Sequence, residues 1–61
     1  VGDLEQVETV WLLAQAYDQL GEVAAACNEI REFHRLDPPG ITPWAVKAAA
    51  VAARRSCRME P

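Results

Sequence analysis

Two stop signals divide this chain. Gly21 interrupts an apolar pattern that runs from Leu4 to Leu20, and Asp37-Pro38-Pro39-Gly40 ends a second pattern that begins at Val23. Glycine accepts the left-handed conformation that closes a helix, and proline supplies no amide to continue one. Between the stops, apolar residues recur at three- and four-residue steps, the period of a helix rather than a strand. Leu4, Val7, Val10, Trp11, Leu13, Ala14, Tyr17 and Leu20 form the first stripe, and Val23, Ala26, Cys27, Ile30, Phe33 and His34 the second. Beyond the prolines, Thr42 reads as an N-cap and Pro43 as the first residue of a third helix. Its stripe is Ile41, Trp44, Ala48, Val51 and Ala52.

The expectation is an all-α fold. It consists of one domain spanning residues 1–61, with helices at about 4–20, 23–36 and 43–58. The loops are short, so neighbouring helices should run antiparallel, up-down-up. Gly2-Asp3 should open the first helix, with Asp3 as N-cap and Gln6 three residues on, as a capping box requires. Glu5 and Glu8 suit the positive end of that helix. A 61-residue chain buries only about 60% of its unfolded surface, and alanine carries much of the apolar content here. Each alanine buries little area, so well-formed helices over a thin core are expected.

The net charge of -3 is unevenly spread. Asp3, Glu5, Glu8, Asp18, Glu22 and Glu29 lie in residues 1–29, which contain no Lys or Arg. Residues 30–61 hold Arg31, Arg35, Lys47, Arg54, Arg55 and Arg58 against Glu32, Asp37 and Glu60. This asymmetry suits head-to-tail stacking or a polarised partner; the plainer reading is solvated helix faces.

No apolar run approaches the ~18 residues of a membrane span, and no signal peptide is visible. The chain starts at Val1 rather than Met, as a piece of a longer protein would. Two cysteines are too few for a disulfide scaffold and fit a reducing, cytoplasmic setting. In antiparallel helices Cys27 stands level with Ala52 or Ala53, more than a turn short of Cys57, so no disulfide between them is expected. Cys27 then reads as a small buried apolar residue. Cys57 reads as an exposed thiol, either inert or activated by Arg54, Arg55 and Arg58.

No catalytic constellation is apparent, and the chain is not expected to be an enzyme. His34 is the one histidine, two helical turns or about 10 Å of rise from Cys27. That reach is too long for a thiolate–imidazole pair, and one His with two distant Cys offers no metal-ligand spacing. No phosphate loop and no need for a cofactor can be identified. Arg54, Arg55 and Arg58 could meet phosphates, but the acidic total and the lack of interleaved aromatics argue against a nucleic-acid partner.

Val10-x2-Leu13-Ala14-x2-Tyr17, Gly21, Ala26-x3-Ile30 and Pro38 together resemble a tetratricopeptide repeat (TPR), in register from Val7 to Gly40. Trp44 falls where the next repeat, about 34 residues on, would begin its own pattern. The departures are Val10 for the usual Trp, Ala14 for Gly, Phe33 for Ala, Lys47 for Leu and Val51 for Tyr. Phe33 should keep the next helix from approaching closely, and the third helix should act as a cap. The resemblance implies a helical-repeat scaffold for protein–protein interaction, with ligands in a groove lined by the first helix of each unit. The matching positions are Glu8, Gln15, Asp18 and Gln19, with Ala45, Ala49 and Ala52 from the third helix. Such an acidic groove would take a basic or amphipathic helical peptide. The alternative is a dimerisation or docking segment, because a single unit leaves apolar surface that a second copy, a longer array or a larger subunit must cover.

Overall fold

Asp3 starts the fold as its sequence position requires: its Oδ1 accepts from the Glu5 amide at 2.9 Å. This satisfies one of the orphan donors of the first turn. The computed structural model describes residues 3–58; Gly2, expected to lead into the first helix, lies outside them. Three helices follow, α1 (Leu4–Leu20), α2 (Val23–Leu36) and α3 (Ala45–Arg54), with no strand among the described residues.

Gly21 ends α1 in the left-handed region, at φ +78°. Its amide donates to Asp18 O at 3.1 Å, and the Glu22 amide donates to Tyr17 O at 2.9 Å. Those two bonds are the Schellman pattern, and they reverse the chain tightly enough to lay α2 antiparallel on α1. Ala14 and Ala26 are both fully buried. The core comprises Val7, Val10, Trp11 and Ala14 of α1, Ile30 and Phe33 of α2, and Ala48, Val51 and Ala52 of α3. The up-down-up order is therefore as the short loops predict.

The structure corrects the third helix at both ends. Thr42 does not cap it. Its hydroxyl donates to Asp37 Oδ2 at 2.7 Å, and its amide donates to the same oxygen at 3.0 Å. A buried carboxylate is the stronger acceptor, so Thr42 joins the Asp37 loop and α3 begins only at Ala45. Ile41, expected on the inner stripe, is exposed, with its amide committed to Asp37 Oδ1 at 3.2 Å.

At the other end α3 stops at Arg54, four residues short of the expected Arg58. Ser56 takes φ +55°. Its amide donates to Ala53 O at 3.2 Å and that of Cys57 to Ala52 O at 2.8 Å, a second Schellman turn with serine in place of glycine. The turn folds Cys57 back to the level of Ala52, beside Cys27. The two form a disulfide, with Cα atoms 5.3 Å apart. The expectation of two free thiols failed because it extended α3 straight through residue 58. The step from two reduced cysteines to a reducing compartment loses its premise.

The apolar stripes are also wider than their cover. Leu4, Leu13 and Leu20 of α1 and Val23 of α2 are exposed, because two neighbouring helices cover only the Val7–Val10–Trp11–Ala14 side of α1. His34 is exposed as well. Among the described residues, no helix is long and apolar enough to cross a membrane.

The disulfide closes a span of 30 residues, which constrains the unfolded chain strongly. Its reduction is expected to lower the unfolding free energy by about 2–4 kcal/mol. Denaturant melts with and without reductant measure the loss. Thiol titration in denaturant should find no reactive thiol before reduction; titratable thiols in the untreated chain would contradict the pairing.

Candidate functional site

Alanine on α3 meets larger residues on α2, and the mismatch leaves a groove. Ala48, Val51 and Ala52 seat α3 on the core. Ala45, Ala49 and Ala53 of α3 and Phe33 and His34 of α2 line the space that remains between the two helices. The result is an open, mainly apolar groove of about 460 Å³ between α2 and α3. Phe33 lies in its lining and also packs in the core cluster with Ala48, Val51 and Ala52 of α3.

Both ends of the groove are tied. At one end the Asp37–Gly40 loop connects α2 to α3. Asp37 is only 2% exposed, and its carboxylate gathers the amides of Ile41 and Thr42 and the Thr42 hydroxyl. The Gly40 amide closes the turn onto Asp37 O at 3.1 Å, with Gly40 at φ +71°. At the other end the Cys27–Cys57 bond joins the helices covalently, and Arg31 Nη1 donates to Arg58 O at 3.2 Å. No buried side-chain polar atom among the described residues is left without a partner.

A third tie runs from α1 to α3. Arg54 Nη2 donates to Asp18 Oδ2 and Arg55 Nε to Asp18 Oδ1, each at 2.7 Å. Arg55 Nη2 also donates to Asp18 O at 2.9 Å, placing positive charge against the last turn of α1, where the helix dipole favours it. The Arg54 guanidinium, then that of Arg55, holds the Asp18 carboxyl below its ordinary range. Burial pushes the Asp37 carboxyl up, but hydrogen bonds from the Thr42 hydroxyl and the Thr42, Ile41 and Gly40 amides outweigh it and bring the balance below the ordinary value. Arg35 is occupied by Glu32 through a bidentate contact on the surface of α2.

The residues singled out from the sequence do not converge on one surface. Glu8, Gln15 and Gln19 are exposed on α1 and do not line the groove. Asp18 is engaged by two arginines. Ala45, Ala49 and Ala52 do line a groove, but they share it with α2 rather than α1. Phe33 and His34 complete it, though the sequence pointed to neither as a ligand-binding position. A sequence signal was present: a run of alanines at Ala45, Ala48, Ala49, Ala52 and Ala53, facing an aromatic residue across the Pro38 turn. Among the described residues, no group of three or more His, Cys, Asp or Glu is placed to hold a metal ion. Comparison with protein-family models, curated proteins and solved structures finds no match to the chain.

Both depressed carboxyls bind protons less tightly folded than unfolded. Their contribution to stability is complete above the ordinary aspartate value of 3.8 and drains away as pH falls through their lower folded values. Denaturation midpoints followed from about pH 6 to pH 2 should fall on this acid limb. Asp18→Asn and Asp37→Asn should each flatten it. A wild-type limb unchanged by both substitutions would contradict the assignment.

Proposed function

We propose that this chain is a protein-interaction module of tetratricopeptide-like build, and that the α2–α3 groove receives an apolar peptide or helix of its partner. The observation that carries the reading is the groove itself, open, mainly apolar and tied at both ends. A groove of fixed width needs little ordering when a ligand arrives, so less of the contact energy is lost on binding. A wall of alanines lets a partner helix approach closely, over a floor that nearly buried Phe33 helps to form.

The tetratricopeptide-like reading draws support from Ala14 of α1 and Ala26 of α2, both fully buried, and from half-buried Tyr17, which stands with them in the pattern. The groove of α1 and α3 that the resemblance implies is less well formed as a ligand site. Asp18 is neutralised there, leaving Glu8, Gln15 and Gln19 as exposed polar positions.

A display selection of helical peptides against the oxidised chain tests the proposal. Ala49→Arg and Ala53→Arg fill the groove from exposed positions on α3. Selected binders should lose at least about tenfold in affinity to either variant, or about 1.4 kcal/mol. Binders indifferent to both, but weakened by Glu8→Lys or Gln19→Lys, would move the site to α1.

A further inference from the structure

The structure has a second uncovered apolar feature, along the side of α1 that faces away from the core. Glu8, Leu12, Ala16 and Leu20 follow one another at four-residue steps along α1, and all are exposed. Leu12 is 54% and Leu20 75% exposed. At about 100° per residue this ridge is centred nearly opposite Val7, Val10 and Ala14, the side of α1 that faces the core. No α1 residue lines the α2–α3 groove. The chain therefore presents an apolar ridge on one face and an apolar groove on another, and it cannot bring its own two together.

The charges match in the same sense. The ridge lies in the half of the chain that has no Lys or Arg, and it opens with Glu5 and Glu8. The groove lies in the basic half, though no Lys or Arg is among its lining residues and Arg35, Arg54 and Arg55 are already paired with carboxylates. At its disulfide end Arg31 donates to Asn28 Oδ1 and to Arg58 O, with no carboxylate partner among the described residues. His34 lines the groove further along.

We infer that the occupant of the groove is the α1 ridge of a second copy of this chain, with Leu12 and Leu20 seated over Phe33 and the Ala45–Ala49–Ala53 wall, and Glu8 toward Arg31. The inference rests on the groove being an interaction surface, as proposed above. Because ridge and groove are different surfaces, the contact is heterologous: each copy uses its ridge on one neighbour and its groove on another, and copies add head to tail. Charge pairing at the edge makes the association salt-sensitive.

Sedimentation equilibrium on the oxidised chain, with folding checked by circular dichroism, tests this. The average mass of the wild type should rise with concentration up to about 1 mM and fall when salt is added. Leu12→Glu with Leu20→Glu removes the ridge, and Ala49→Arg with Ala53→Arg blocks the groove; all four positions are exposed, so both variants should fold. Each variant alone should be a monomer. Mixed in equal amounts they should form one-to-one dimers and nothing larger, since the mixture holds one working ridge and one working groove per pair. A wild-type monomer at the highest concentration overturns the inference, as does a mixture that stays monomeric. If the wild type is monomeric while selected peptides still bind the groove, self-association fails and the interaction module stands. If the peptides also ignore the groove variants, both fail.

Discussion

The bond between Cys27 and Cys57 is the constraint on which the placement of α3 most depends. α3 has little apolar area with which to hold itself. Its inner face is Ala48, Val51 and Ala52, and alanine removes little area from water. A ten-residue helix is also too short to be stable on its own. It stays in place because it is tied at its ends: to α2 through the disulfide, to α1 through Arg54 and Arg55 on Asp18, and at its start through the Asp37 loop. The paired α1 and α2 supply most of the remaining core. A small chain needs such staples where a larger one could rely on buried area.

Tying a helix by its ends has a consequence for its sides. With the termini fixed, α3 need not pack closely along its length, and its alanines leave an open channel against α2. The same ties fix the width of that channel. Buried residues elsewhere close gaps by interdigitating; here small residues face Phe33 and the gap persists. The surface offered to a partner is thus a product of how the third helix is anchored. It does not arise from any one polar residue aimed at a ligand.

The parts of this arrangement that were legible in the sequence are those set by local chemistry. Asp3 caps, Gly21 turns left-handed and the prolines stop α2, because each effect acts within a few residues. The helical period gave most of the core, including Val7, Val10, Trp11, Ile30 and Phe33. What was not legible was decided by competition or by distance. Thr42 has the right identity and position for an N-cap, yet Asp37 claims its hydroxyl. Asp18 looked free for a ligand because Arg54 and Arg55 are 36 and 37 residues away. Ser56 carries no helix-stop signal of the strength of Gly or Pro, so nothing local announced the turn that brings Cys57 back to Cys27. The covalent tie at one end of the candidate groove followed from that one missed turn.

Amide hydrogen exchange, compared residue by residue between the oxidised and the reduced chain, tests this account most directly. If the covalent tie positions α3, reduction should remove protection from the amides of Ala48–Arg54 first and most, while those of the α1–α2 core, such as Val10, Ala14 and Ile30, stay protected to a greater degree. Equal loss across all three helices, or undiminished protection in α3 after reduction, would contradict it.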